Sequence, residues 1–497
     1  MNPLKKLAGQ TAVYGLSSIL GRILGYLLVP IYTRVLAEAP YGSVVELYSY
    51  IALLLVILTY GMETAFFRFS ESTGKSSKVF GSAFLSILGS SVFFIILLSF
   101  FYQPVADLIG YTHKSEYIVY LGLILFFDSI NTIPFAKLRA DNRAKRFVAV
   151  RLTGIFVNIA LNLILILLIP YLLETIPSDS FHSFINSFYD EANKVDYILI
   201  SNVISSGLMT LMFLPDLLKI KLEFDKEVWK KLMIYAMPLL IFGLAGVLNE
   251  VLDRILLKYL LPKNIAMAQV GIYGAVYKVS ILMTIFIQAY RYAAEPFFFA
   301  HEKHKDAKEM YASMMNYFVI ITSLIFLGTM LYMDIIIHFI GEPFRVGAPV
   351  IPILLMANLF LGIYYNLSVW YKLTNKTKWG AYISIIGAVI TISLNIYWIP
   401  QATENYIHGY MGSAWATFYC YGSMMVLSLL IGRKYYPIPY NISRILMYLL
   451  ISVGIYFLSL QIPVEDLAIK LSINTLLLLA YLTFIYFMER KNIRNLS

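Results

Sequence analysis

Residues 16–67 read LSSILGRILGYLLVPIYTRVLAEAPYGSVVELYSYIALLLVILTYGMETAFF, and the chain uses this pattern a second time at residues 248–299. A shift of 232 positions aligns the two stretches without a gap, and 14 of the 52 aligned positions are identical. Apolar matches arise readily between two membrane segments, but shared charges and a shared proline do not. The informative pairs are Arg22 with Arg254, Pro30 with Pro262 and Glu63 with Glu295. The sequence therefore predicts a duplicated helical bundle with the same charges in both copies.

Composition places the chain in a membrane. Of its 497 residues, 59% are apolar and 14% are charged, whereas about a quarter of the residues in soluble domains are charged. Fourteen apolar runs are long enough to cross about 30 Å of hydrocarbon, and all should be helices because open strands leave backbone groups unpaired in lipid. They lie near residues 8–34, 41–67, 79–101, 116–136, 147–170, 196–215, 232–261, 270–299, 311–340, 347–371, 379–399, 409–431, 441–460 and 467–488. We expect an all-α membrane protein, and its single cysteine, Cys420, excludes internal disulfides.

The duplication predicts the domain organisation. Six spans separate the starts of the two copies, so both enter the membrane in the same direction, as in parallel transporter repeats. We predict an N-terminal six-helix lobe (1–218), a cytoplasmic linker (219–231), a C-terminal six-helix lobe (232–433), and two extra transmembrane helices with a cytoplasmic tail (434–497).

Basic residues predict the orientation. With both termini inside, the cytoplasmic segments hold 28 Lys and Arg residues and the outward loops hold 6. This asymmetry follows the positive-inside rule and predicts cytoplasmic termini. It also accounts for the basic excess of the chain without a nucleic-acid partner.

Charged residues remain inside the predicted spans. The basic ones are Arg22, Arg254, Lys258, Lys278 and Arg291, and the acidic ones are Glu46, Glu63, Asp128, Glu250, Asp253, Glu295 and Asp334. A charge at the bilayer centre costs about 2.5–3.5 kcal/mol even on the lenient insertion scale. We therefore expect these side chains to face a protein interior or a water-filled cavity.

One interpretation is that these charges pair with one another. Glu250 lies four residues before Arg254, and Arg291 lies four before Glu295, so each pair shares a helix face. Lys258 lies near an outer helix end, where we expect it to reach towards the interface. The candidates for a gate or an ion pair are Glu63, Glu295, Glu46 and Glu250.

The other interpretation is contact with a substrate. Arg22 favours it, because its own helix carries no acid. A guanidinium group presents a planar fork of donors that suits phosphate. A cavity lined by such cations selects for an anionic substrate if its acids are paired or peripheral.

Two six-helix lobes followed by an extra helix pair resemble the MOP exporter superfamily. Two local motifs, GRILG at 21–25 followed by RVL at 34–36, and YGMETAFFRF at 60–69, are similar to segments of the bacterial polysaccharide (Wzx-type) and MurJ-type lipid-linked sugar flippases. The resemblance implies a transporter, not an enzyme. It would move a polyprenyl diphosphate-linked oligosaccharide from the inner to the outer leaflet of the bacterial cytoplasmic membrane by alternating access.

By this resemblance, Arg22 and Arg254 clamp the diphosphate, with Lys278 and Arg291 in support. Some members couple transport to a cation, Na⁺ or H⁺, for which the candidate residues are Asn249, Asp253 and Asn395. The expected partners are membrane lipid, the lipid-linked sugar, and the polymerase and export proteins that handle the polysaccharide. No cofactor or metal is expected.

Alternatives stay open. MurJ-type proteins carry a second arginine six residues after the first, where this chain has Leu28, so a lipid II flippase is less favoured. Multidrug members commonly carry an acid on the first helix, and this chain has none there, so a cation-coupled multidrug exporter is also less favoured.

A membrane glycosyltransferase or polymerase would need a catalytic cluster in an outer loop. The longest, 171–194, has acids but no basic partner nearer than Lys194. A scaffold without transport would not explain five buried cations.

Overall fold

The computed structural model describes residues 19–72, 76–220, 222–302, 304–374, 376–404 and 408–494, and all regular structure in these ranges is helical. A helical stretch at 19–26 precedes α1. The first ten helices are α1 Val29–Val35, α2 Glu38–Thr59, α3 Met62–Ser72, α4 Ser76–Leu108, α5 Glu116–Ala140, α6 Ala144–Leu163, α7 Ile169–Thr175, α8 Asp179–Asn186, α9 Lys194–Leu217 and α10 Lys226–Leu260. The next ten are α11 Lys263–Val279, α12 Ile281–His301, α13 Ala307–Leu331, α14 Met333–Ile336, α15 Ile351–Leu367, α16 Val369–Leu373, α17 Lys378–Glu404, α18 Gly409–Tyr435, α19 Ile442–Leu460 and α20 Leu467–Arg494. A π-helical turn, Ile164–Leu168, joins α6 to α7.

The described helices agree with the predicted spans. Twelve of the described helices are long and apolar enough to cross a membrane, and the pair α11 and α12, bent by 53°, is a thirteenth candidate if it crosses as one broken span. These thirteen correspond in order to the last thirteen predicted runs. The first predicted run, 8–34, begins outside the described residues. The prediction of a polytopic, all-helical membrane protein is confirmed.

The chain forms two compact units, Met1–Gly271 and Ile272–Ser497. In the first unit, α10 packs along α2, α3 and α4, although the duplication places α10 at the start of the second half. The start of α11 also crosses α2 at backbone distance. A Cβ on Gly42 would lie 2.0 Å from the carbonyl oxygen of Met267, and one on Gly271 would lie 2.0 Å from that of Glu38. Only glycine permits such an approach. The lobe boundaries from the duplication stay a prediction.

The connection before α10 is shorter than the predicted linker, 219–231. Helix α10 begins at Lys226 because Asp225 caps it, accepting hydrogen bonds from the main-chain N–H groups of Glu227 (3.0 Å) and Val228 (3.2 Å). Its first turn also packs on α4, where the indole N–H of Trp229 donates to Ser86 (2.9 Å). The second half of the predicted linker is therefore helix.

The two copies of the repeat break at different places. In the first copy, Tyr60 and Gly61 adopt φ angles of 34° and 71°, which separate α2 from α3. Gly61 also lies against α10, where a Cβ would come within 2.8 Å of the Leu239 Cβ. In the second copy, the break between α11 and α12 lies at Ser280, which aligns with Tyr48. Identical residues in the two copies therefore do not imply identical bends.

In the second unit, α13 packs against α15, α19 and α20, and α18 packs on both α15 and α17. Polar contacts hold the last two helices in place. Tyr481 on α20 is hydrogen-bonded to Ser323 on α13 (2.8 Å) and donates to the Tyr448 carbonyl on α19 (2.9 Å). The extra helix pair is thus an integral part of this unit.

Candidate functional site

The first unit brings the two repeat-equivalent arginines to one tyrosine. Tyr26 lies within electrostatic reach of Arg22, Glu250 and Arg254. Arg22 is exposed on the helical stretch 19–26, whereas Arg254 on α10 is only 8% exposed. One guanidinium group from each copy of the repeat therefore lies in the region around Tyr26.

Arg254 is oriented by its own helix. Its Nη1 donates to the main-chain oxygen of Glu250 (2.5 Å) and lies 3.6 Å from Oδ1 of Asp253. Asp253 Oδ1 also accepts from the main-chain N–H of Arg254 (2.8 Å). The contact four residues back is therefore to the Glu250 carbonyl, and Asp253 supplies a carboxylate.

Glu46 and Lys258 form a buried ion pair that joins the two copies. The Lys258 Nζ lies 2.7 Å from Glu46 Oε1 and 2.8 Å from Oε2, with the lysine side chain 13% exposed and the glutamate 0%. It also donates to the main-chain oxygen of Ile109. The prediction that Lys258 reaches towards the membrane interface is therefore wrong. Its ammonium group stays inside the protein because the Glu46 carboxylate and the Ile109 carbonyl bind it there.

Tyr111 completes this pair from the loop between α4 and α5. Its hydroxyl donates to Glu46 Oε2 (2.6 Å), and its ring lies 4.2 Å from the Lys258 Nζ. Burial first, and then the negative charge of Glu46, raise the pKa of Tyr111 well above its ordinary value. The phenol therefore stays a neutral donor to the carboxylate.

The second unit holds two further predicted cations. Arg291 on α12 lies with its Cζ 3.9 Å from the ring centroid of Tyr365, a cation–π contact. The adjoining cavity measures about 20 Å³, room for about one water molecule. Lys278 lies half-buried near the end of α11. The side chain of Glu295, on α12, lies outside the described residues.

The candidate cation ligands have different surroundings. Asn249 and Asp253 are both buried on α10 in the first unit. Asn395, on α17 of the second unit, donates to the Thr391 carbonyl (2.8 Å) and accepts from Ser413 (2.9 Å). These bonds give Asn395 a structural role within its own unit. Among the described residues, no group of three His, Cys, Asp or Glu side chains is placed to hold a metal ion.

A cavity of about 480 Å³ lies among α2, α3, α5, α6 and α9 of the first unit. Its charged lining residues are Glu63, Asp128, Arg139 and Arg151, and its lining amides are Asn131, Asn158 and Asn202. A polar cavity of this size inside a membrane bundle is a candidate binding site, and pockets for small ligands span about 300–1,000 Å³.

The four charges of this cavity lie in two pairs of opposite sign. Arg139 forms an ion pair with Glu63 and lies over the Phe67 ring, 5.0 Å from its centroid. Asp128 lies within electrostatic reach of Arg151. The cavity is therefore polar but formally neutral.

This cavity was not predicted from the sequence. The count of basic residues assigned Arg139 and Arg151 to the cytoplasmic loop, although Arg151 lies within the predicted run 147–170. In the structure both are helical, because α5 continues to Ala140 and α6 begins at Ala144. A usable signal was present. Asp128, Asn131, Thr132 and Arg139 lie at positions i, i+3, i+4 and i+11 of α5, which places them on one helix face.

Comparison with known proteins gives consistent matches. Residues 31–171 match a family described as "Polysaccharide biosynthesis protein". Lsg locus protein 1 of Haemophilus influenzae is 21% identical over 398 residues, which cover 78% of this chain and 90% of that protein.

Solved structures share the fold over most of their length. The lipid II flippase MurJ in an inward closed conformation superimposes with a TM-score of 0.71 and 16% identity, covering 96% of this chain and 99% of MurJ. An inward-facing multidrug resistance MATE family transporter of the MOP superfamily has a TM-score of 0.60 and 13% identity, covering 88% and 95%. These likenesses confirm the resemblance predicted from the sequence: the chain is an all-helical membrane protein with the fold of the MOP superfamily.

Proposed function

We propose that the protein is a flippase for a polyprenyl diphosphate-linked oligosaccharide, acting in the bacterial cytoplasmic membrane from the inner to the outer leaflet. The observation that carries the proposal is that Arg22 and Arg254, at equivalent positions of the repeat, both lie within electrostatic reach of Tyr26 in the first unit. Two guanidinium forks suit the two phosphates of a diphosphate. The polysaccharide biosynthesis description of the matching family and the lipid II flippase MurJ among the structural neighbours support the same class of substrate.

Alternating access is the proposed mechanism. Glu46 belongs to the first copy of the repeat and Lys258 to the second, and both lie near the predicted outer ends of their helices. Their buried pair, with Tyr111, ties these ends together in the first unit. We infer that the pair separates when the transporter opens outwards. The supporting roles of Lys278 and Arg291 stay predictions.

Binding of undecaprenyl diphosphate to the full-length protein in nanodiscs tests the proposal. Arg22→Ala and Arg254→Ala should each weaken binding by tenfold or more, because each removes one donor fork. Arg34→Ala is the matched control: this exposed arginine donates to its own helix at Pro30 (2.8 Å), and its loss should change affinity less than twofold.

Unchanged binding in both variants would show that the arginines are structural and would remove the diphosphate clamp. The likeness to MurJ keeps a second candidate, a lipid II flippase. Lipid II as a further probe separates the two: a preference for lipid II over other diphosphate-linked sugars would favour that candidate. Binding of an organic cation in place of either lipid would favour the multidrug exporter.

A further inference from the structure

We propose that the polar cavity among α2, α3, α5, α6 and α9 of the first unit holds the sugar headgroup of the transported lipid. This inference rests on the proposed function and adds a second, separate subsite to the arginine region. The diphosphate would lie at Arg22 and Arg254, and the sugar in the cavity.

The position of Asp128 argues for a ligand. It lies twelve residues from each end of α5, about 18 Å along the helix from either end. A carboxylate at that depth is costly and marks a functional site by default. Asp128 is only half-buried and borders the cavity, where a ligand can reach it.

The amides around Asp128 are held in fixed orientations. Asn131 donates to the main-chain oxygen of Ser206 (3.2 Å) and accepts from Thr210 (3.0 Å). Asn202 donates to the Tyr48 hydroxyl (2.8 Å) and accepts from the Ser206 hydroxyl (3.3 Å). Each amide carries two N–H donors, and these contacts use one of them. These contacts leave the second N–H donor of each amide unused.

Asn158 offers its whole amino group. Its Oδ1 accepts from Asn162 (2.8 Å), and Asn162 in turn accepts from the Tyr32 hydroxyl (2.8 Å). This chain of bonds fixes the amide of Asn158, which lines the cavity. Within the described ranges, the Asn158 Nδ2 has no hydrogen-bond partner. A hydroxyl group on a ligand would supply one.

Charge and size decide the class of ligand. Arg139 is paired with Glu63, and Asp128 lies within electrostatic reach of Arg151, so the lining carries two charges of each sign and does not favour a diphosphate. Sites for drug-like ligands are lined predominantly by apolar and aromatic groups with few polar ones, which does not describe this lining. A proton or a small cation would leave most of the 480 Å³ unused. A neutral group rich in hydroxyls matches the amides, the carboxylate and the volume together.

Two rings complete a site of this kind. Phe135 and Phe147 line the cavity and pack edge to face, with centroids 5.2 Å apart. Arg151 lies 5.7 Å from the Phe135 centroid. Apolar ring surface beside fixed amides suits a sugar, which has C–H faces as well as hydroxyl edges.

The test compares two lipids on the full-length protein in nanodiscs: undecaprenyl diphosphate, and the lipid-linked oligosaccharide extracted from the cells that make this protein. Asp128→Asn and Asn158→Ala should each weaken binding of the glycolipid by tenfold or more and change binding of undecaprenyl diphosphate less than twofold. Asp107→Asn is the matched control, because this exposed carboxylate on α4 lies outside the cavity. Two variants at separate helices keep the test decisive if one of them unfolds.

The other outcomes overturn the inference. Equal loss for both lipids, or no loss for the glycolipid, would remove the sugar from the cavity while leaving the arginine clamp intact. A variant Asp128→Asn that binds the glycolipid normally but loses the pH dependence of transport would assign Asp128 to proton coupling instead. A wild-type protein that binds neither lipid would refute the proposed function itself.

Discussion

At the scale of single residues, the Glu46–Lys258 pair shows how a membrane bundle accommodates charge. Lys258 has two carboxylate oxygens and a carbonyl oxygen around one ammonium group, and Glu46 receives a further hydrogen bond from Tyr111. A buried pair of this kind repays desolvation only when its remaining hydrogen-bonding capacity is satisfied. Removal of one partner leaves the other as an uncompensated buried charge.

We therefore predict that Glu46→Gln destabilises the protein strongly. Loss of one member of a buried pair costs about 3–5 kcal/mol, so thermal unfolding in detergent should occur at a clearly lower temperature. The double variant Glu46→Met with Lys258→Met should recover most of the loss. Asp334→Asn is the control, because its pair with Lys470 is 40% and 38% exposed and pairs of that kind contribute about 0–1 kcal/mol. Equal unfolding temperatures for Glu46→Gln and Asp334→Asn would contradict the prediction.

At the scale of helices, close backbone crossings define the first unit. Helix α2 meets the start of α11 at Gly42 and Gly271, where each glycine faces the other helix's carbonyl oxygen. Gly42 aligns with Gly274 in the duplication, but Gly271 aligns with Ala39. The crossing therefore depends on one glycine that the two copies share and one that they do not.

Substitution at this crossing gives a direct test. In Gly42→Ala the new Cβ would lie 2.0 Å from the Met267 carbonyl oxygen, so the helices must separate, and we expect a lower unfolding temperature and a lower folded yield. Gly89→Ala is the matched control on α4, because no heavy atom lies within 4 Å of its Cβ position. At that position the higher helix propensity of alanine should raise the stability of the variant by about 1 kcal/mol. Similar yields for the two variants would show that the crossing relaxes without loss.

Helices were the most predictable level of this structure. Hydropathy located thirteen of the predicted spans because a membrane demands about 20 apolar residues for each crossing. It failed at some of their ends: the predicted run stops at residue 136, whereas α5 continues through Arg139 to Ala140, because a helix tolerates charge that a hydropathy threshold does not. It also missed the break at Tyr60–Gly61, since α10 packs against that point and the sequence does not show such packing.

At the scale of the whole chain, the duplication predicted which charges are equivalent but not which ones meet. Arg22 and Arg254 were matched from sequence, and their shared neighbour Tyr26 emerged only from the structure. The same holds for Glu46, which aligns with Lys278 but pairs with Lys258. Partners of this kind depend on how separate helices pack, and a single sequence contains no record of those distances.

Orientation is the remaining property of the whole chain, and it sets the direction of transport. The count of 28 basic residues on one side against 6 on the other predicts that the loop between α5 and α6 is cytoplasmic and that the segment carrying α8 faces outwards. In a Cys420→Ser background, we expect a membrane-impermeant thiol reagent to label Ser183→Cys in intact spheroplasts. Lys145→Cys should be labelled only after the membrane is opened. Both positions are exposed, so the membrane alone decides access. The reverse labelling pattern would show that the chain has the opposite orientation in the membrane. The Glu46–Lys258 pair would then lie on the cytoplasmic side, and the proposed direction of transport would be reversed.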